Sequence, residues 1–265
     1  MCIRDRFIAG GCSFTFGHEL SDDHAGQVPS KKAWSYGLKP EDHEYVCCAY
    51  PGSGNQGIAR RVFEAVTNND DVGQVVVMWS LLSRYDWAMP KHKTLEKKRW
   101  ATISPWDTSE HDEYAKEKLA QSPEQAELWE QRTQSLLSSG VRQFAEVLYA
   151  YGANQYHEIF LSWKSIIWIQ NLLEKKKIPY MFTCADNSLF YQGRSHHMDL
   201  DGLMKSLHGE IDLDKWFFFG NRCMGFNQWA SGNRYEYGTT HPLDKAHEDA
   251  IKYMKPRFEK IIGEQ

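Results

Sequence analysis

Long apolar runs are missing from this chain. The longest, Val75 to Leu82, is strand-sized and already carries Ser80. A membrane helix needs about 20 consecutive apolar residues, so no membrane span is expected. An excess of one charge is missing too. Against 35 Asp and Glu stand 31 Lys and Arg, a net charge of −4, which gives no general pull toward nucleic acid or anionic lipid. Cysteines at metal spacing are also missing. Cys12, Cys47, Cys48, Cys184 and Cys223 form no CxxC and no zinc pattern. They read as buried, reduced thiols, which mildly favours a reducing compartment and so the cytoplasm. No internal repeat, low-complexity tract or linker divides the chain.

What remains is the balance of a folded protein: 265 residues, 42% hydrophobic and 25% charged. Aromatics reach 14%, with ten Trp. That abundance suggests ring faces in a cleft or on a lid, beside ordinary core filling. The first six residues, Met1-Cys2-Ile3-Arg4-Asp5-Arg6, are neither a signal peptide nor a strand pattern. Read back into codons, ATG TGT ATA AGA GAC AG is the end of a transposon-based sequencing adapter. Residues 1–6 are therefore expected to be a translated adapter on a metagenomic gene fragment, with the native start and any leader lost. Without them the count is 29 basic against 34 acidic residues, or −5. Residues 7–265 are expected to form one domain.

Apolar runs and helical patterns alternate. Phe7 to Gly10, Glu44 to Tyr50, Gln74 to Ser80 and Ile178 to Cys184 read as strands, and Trp216 to Phe219 as a fifth. Asn55 to Thr67, His157 to Lys177 and Pro242 to Ile262 carry apolar residues at helical spacing, with Pro242 in a first turn. The alternation predicts an α/β fold, a parallel sheet with helices on both faces. Residues of about 85–155 interrupt it. They lack strand signals and read as a helical insertion over one end of the sheet. Ser122-Pro123-Glu124-Gln125 would cap a helix running to about Tyr151.

Three turns carry candidate chemistry. Gly10-Gly11-Cys12-Ser13-Phe14-Thr15-Phe16-Gly17 follows the first strand. A serine there stands at the carboxyl end of a parallel strand, where open α/β sheets hold their sites. N–H groups of a following turn can face its oxygen. Tyr50-Pro51-Gly52-Ser53-Gly54-Asn55 lies between a strand and a helix and offers backbone and amide donors. Gly238-Thr239-Thr240-His241-Pro242 opens the last helix and supplies a candidate general base.

In order and spacing these turns resemble the SGNH or GDSL hydrolase family. Its Gly-Asp-Ser-x-Ser/Thr-x-Gly block matches Gly11 to Gly17, except that Cys12 stands for Asp. The resemblance implies a three-layer, flavodoxin-like α/β/α fold, with Ser13 as nucleophile and His241 as base. It implies an oxyanion donor at Gly52 or Gly54, and it implies no cofactor and no metal. The family's third block, Gly-x-Asn-Asp, is missing after Trp79; Asn55, Ser80 or Arg84 would take over part of its role. The acid usual three residues before the histidine is also missing, since Gly238 stands there. Glu236 and Asp244 are near in sequence but not at that offset.

The expected activity is hydrolysis of a small-molecule or glycan ester through an acyl-serine, with an O-acylated glycan favoured by the many Trp. Trp79, Trp87, Trp100 and Trp106 are candidates for a sugar-stacking platform. An O-acyltransferase or an inactive carbohydrate-binding relative is the alternative. A further reading takes the glycine turns as phosphate-binding loops; taken turn by turn, they are expected to carry neither GxGxxG nor GxxxxGK[ST]. His196-His197-Met198-Asp199 is a weak metal candidate. The basic runs Lys91 to Trp100 and Lys175 to Lys177 read as solvated surface.

Overall fold

The computed structural model describes residues 5–24, 26–90, 99–114, 123–191 and 202–263. Its frame is a parallel sheet of β1 (Arg6–Gly10), β2 (Glu44–Cys47), β3 (Val72–Trp79) and β6 (Tyr180–Cys184), in the order β2-β1-β3-β6. The two remaining strands, β4 (Tyr85–Ala88) and β5 (Trp100–Ile103), pair antiparallel in a sheet of their own. Described helices are α1 (Ser13–Phe16), α2 (Trp34–Leu38), α3 (Asn55–Thr67), α4 (Glu110–Tyr114), α5 (Pro123–Ser139), α6 (Val141–Val147), α7 (Gln155–Lys176), α8 (Gly202–Gly209), α9 (Phe226–Gly232) and α10 (Asp244–Gly263).

The period-2 alternation of the strands decides which helix packs where. Val75, Val77 and Trp79 of β3 and Phe182 of β6 face one core with Ile58 and Val62 of α3 and Ile159 and Trp163 of α7. Val76 and Met78 face the opposite core with Trp34 of α2, Phe226 of α9 and Ala250, Met254 and Phe258 of α10. Every residue of β3 is buried, as the apolar run Val75 to Trp79 within it favours for a central parallel strand. Each large apolar side chain so buried contributes about 1.5–3 kcal/mol.

The sequence pattern differs from the structure at several places. Arg6 belongs to β1: its guanidinium meets Glu44, Asn69 and Asp71. Met1 to Arg4 lie outside the described residues. The strand at Glu44 ends at Cys47, sooner than the pattern to Tyr50 suggests. Trp216 to Phe219 does alternate between the two cores. It makes only one parallel bridge to β6, Phe182 with Trp216, because Phe219 N–H turns back to Met224 O. Pro242 precedes the last helix and bridges Tyr237. The insertion is not all helical, since β4 and β5 form a hairpin over Tyr85, Ile103, Val141 and Ala145. Its long helix breaks at Gly140 and ends in a π turn at Leu148–Gly152. The Ser122 cap lies outside the described residues. The hairpin is tied to α3 by a two-pronged Arg60–Asp86 ion pair at 2.8 and 3.0 Å. No described helix is long and apolar enough to cross a membrane.

Candidate active site

The turn after β1 positions the serine. Gly10 ends the strand, Cys12 adopts an extended conformation and α1 starts at Ser13. Phe16 and Gly17 then close the short helix onto Cys12 O and Ser13 O. Gly17 takes the left-handed conformation, φ 77°, that stops a helix after one turn. Ser13 is buried at the carboxyl end of β1. Among the described residues, no hydrogen bond uses its backbone N–H.

The chain leaves this turn through Glu19, a non-glycine residue at φ 69°. Such a conformation costs about 1–2 kcal/mol. It is held by the Glu19 N–H donating to Asp23 Oδ2 at 2.7 Å. Asp244 fixes the far side of the loop, accepting from Ser21 N–H, Ser21 Oγ and Lys32 Nζ.

Here the turn after β1 meets the turn before α10. His241 Nε2 lies 2.7 Å from Ser13 Oγ, and His241 Nδ1 lies 2.8 Å from Glu19 Oε2. Glu19 also accepts the N–H groups of Thr239, Thr240 and His241 at 2.9–3.0 Å. Burial works to raise the Glu19 pKa, but the His241 hydrogen bond and the N–H groups of Thr240 and Thr239 outweigh it and hold the carboxyl at about 2. Ionised Glu19 selects the His241 tautomer with hydrogen on Nδ1, leaving Nε2 to accept from Ser13. The rings of Phe14 and His18 stand edge-on to His241, 5.0 and 5.4 Å away, and fix its plane. Serine, imidazole and carboxylate thus form one hydrogen-bonded line.

The orienting acid therefore differs from those the sequence offers. Glu236 makes its one described contact through its carbonyl, which accepts from Leu243 N–H, and Asp244 is engaged by Ser21 and Lys32. A Cβ on Gly238 would stand 3.1 Å from the carboxyl carbon of Glu19. With no side chain at 238, Glu19 sits there without crowding. One signal was available: a glycine at the acid position together with an acid two residues past the Gly11 to Gly17 block.

Ser13 and His241 open onto a cleft of about 520 Å³ that Gly52, Arg84, Trp106, Trp129 and Asn227 also line. Gly52 has φ 80° and open space where a Cβ would be. No described hydrogen bond uses its N–H. The loop is braced from α3, where Arg61 donates to Cys48 O and Ser53 Oγ and lies over the Tyr50 ring. Gly54 does not line the cleft; it sits against the Arg84 backbone.

Asn55 and Ser80 are also behind the cleft. The Asn55 amide donates to Ser80 O and Ser162 Oγ and accepts from Ser80 N–H, so its polar atoms are spent tying α3 and α7 to the end of β3. Arg84 reaches the cleft, with Nη1 donating to Ser80 Oγ at 3.1 Å. Asn227 and Trp129 reach it without any sequence signal. Tyr237 OH donates to the Asn227 carbonyl groups, which turns the Asn227 side-chain NH₂ away from that contact.

The sugar platform is dispersed. Trp79 is in the core, Trp87 packs on Phe144 and Trp100 lies under Arg60. Trp106 alone of the four lines the cleft. The glycine loop does spell GxGxxG from Gly52 to Gly57, a match that reading the turns one by one overlooks. It follows the edge strand β2 rather than a strand beside the order reversal, and its second glycine is covered by Arg84. His196 to Asp199 and Lys91 to Lys98 lie outside the described residues.

No protein-family model matches the chain, and no curated protein matches it in sequence.

Proposed function

We propose that the chain is a serine ester hydrolase of the SGNH type, working through an acyl-enzyme on Ser13. The observation that carries this reading is the unbroken line from Ser13 Oγ through His241 to Glu19, open to a cleft. The sheet order β2-β1-β3-β6 supports the flavodoxin-like part of the reading, with Trp216 beginning a fifth position beside β6.

In this reading Ser13 Oγ attacks the ester carbonyl as its proton passes to His241 Nε2. Glu19 stabilises the imidazolium through Nδ1–H. The N–H groups of Ser13 and Gly52 hold the oxyanion. The C–O bond breaks, and the alcohol leaves with the proton from Nε2. Water then adds to the acyl carbon, giving its proton to His241, and Ser13 leaves with that proton as the acid is released. An O-acylated glycan is the proposed substrate class, because Trp106 and Trp129 line the cleft. An inactive relative has two grounds, the missing acid at position 238 and the missing Asn after Trp79; the Glu19–His241 contact speaks against the first.

Intact-mass measurement after fluorophosphonate treatment tests the reading. One adduct on the wild type, none on Ser13→Ala and slow labelling of His241→Ala are expected. A folded wild type that takes no adduct overturns it. Release of acid from an acyl donor in plain water separates a hydrolase from an acyltransferase.

A further inference from the structure

We propose that the cleft takes esters carrying an anionic group, a carboxylate, sulfate or phosphate on the acyl or alcohol part, and that Arg84 recognises that group. The inference rests on the hydrolase reading for the reaction, but not for binding.

Arg84 shares the cleft lining with Ser13, Gly52 and His241. One corner of its guanidinium is anchored on buried Ser80. Its backbone carbonyl is seated on Gly54, so the side chain starts from a fixed point. Arginine has five N–H donors. Among the described residues only Nη1 is used, and no ion pair is formed.

Nearby acids do not answer the charge. Glu19 is saturated by His241 and the N–H groups of residues 239–241. Glu158 lines a small adjoining cavity with Arg84, but it accepts from Tyr85 OH, and burial raises its pKa. The rest of the cleft lining is mixed, with apolar Leu81, Trp106 and Leu128 beside polar Asn227 and Thr240. When a substrate displaces water from such walls, an uncompensated guanidinium loses solvation. A planar anion restores it through paired N–H···O bonds. A neutral ester does not.

A rival role is oxyanion donor, which would favour every ester alike. Two probe pairs separate the roles and the two ends of the ester. On the acyl side, the 4-nitrophenyl monoester of glutarate is compared with 4-nitrophenyl pentanoate. On the alcohol side, 4-acetoxybenzoate is compared with 4-acetoxybenzamide. The acidic member of at least one pair is expected to have about tenfold or greater kcat/KM, mostly through KM. That ratio falls with added salt, collapses in Arg84→Gln and is intermediate in Arg84→Lys. Equal preference in both pairs, or an equal loss on both members in Arg84→Gln, overturns the proposal.

Titration of Ser13→Ala with glutarate against glutaramide reads binding without chemistry. If fluorophosphonate fails to label the wild type, the hydrolase reading fails, and this titration still decides the role of Arg84. Tighter glutarate binding that Arg84→Gln or Arg84→Lys weakens supports it; equal binding of both ligands overturns it.

Discussion

The Glu19 carboxylate lies against the backbone of Gly238, with its Oε2 3.1 Å from the position of the missing Cβ. A side chain at 238 would have to press the carboxylate back by a few tenths of an ångström, so acids at the two positions would compete for room beside His241.

That competition is open to a swap. Glu19→Ala is expected to lower kcat by about 10²–10⁴-fold, as loss of the orienting acid does in serine hydrolases. Gly238→Asp in the wild type brings a second carboxylate against Glu19 and lowers both activity and melting temperature. Combining Glu19→Ala with Gly238→Asp is expected to recover at least tenfold of the loss. Steady-state kinetics with a short acyl ester on the three variants reads this directly. A double variant no better than Glu19→Ala would show that the space is not interchangeable.

Ser13→Ala and His241→Ala act on one unit. Each is expected to reduce kcat by about 10⁴–10⁶-fold, and the pair together by little more than either alone. Additive losses would mean that the 2.7 Å Ser13–His241 contact is not used in turnover.

Gly52 and Gly54 separate by which property they control. Gly54→Ala drives a methyl into the Arg84 backbone and is expected to lower the melting temperature. Gly52→Ala has room for the methyl but must hold φ 80°, so the loop shifts and its N–H leaves the cleft. A fall in kcat of about 10–10³-fold is expected, as for one lost oxyanion donor. Thermal melts beside kinetics would expose a reversed pattern.

Asn55→Ala removes three buried hydrogen bonds. Leaving the Ser80 N–H and carbonyl and Ser162 without partners is expected to cost about 2–4 kcal/mol. Chemical denaturation with an unchanged slope would check this. Loss of kcat without loss of stability would return Asn55 to the oxyanion site.

Acid stability has a defined origin. His247 is buried, accepts from Trp34 N–H and is held neutral, its pKa lowered by burial, and less by His241, from 6.5 to about 3. The unfolded chain takes up this proton between those values and the folded chain does not, so stability falls as pH drops through that window. Glu19, lowered from 4.5 to about 2, adds a loss in the same direction over its own range. His247→Gln is expected to flatten the upper part of the decline. Unfolding free energy measured between pH 7 and pH 3 would show it.

Much of the frame was legible because β1, β3 and α3 each have a pattern that local sequence decides. Asn55–Thr67 is a helix over the expected residues, and Ser13, Gly52 and His241 follow from turns at strand and helix ends. Glu19 was legible only indirectly, through the glycine at 238 and its place just past the first block, because its approach to His241 depends on a left-handed turn that its own residue type does not favour. Asn55 misled for the opposite reason. A polar residue at a helix start looks like a donor, and only the approach of β3 and α7 shows that its amide is already engaged. The strands of the β4–β5 hairpin, Tyr-Asp-Trp-Ala and Trp-Ala-Thr-Ile, carry no apolar run like those that marked the strands of the parallel sheet.

Ser13 and Glu19 leave the ribosome together, and their partner is still more than two hundred residues away. On the proposed function, the serine would stay inert until the turn at His241 and the helix behind it dock beside the turn after β1. Reactivity toward a fluorophosphonate would then report that long-range docking, rather than local folding around Ser13.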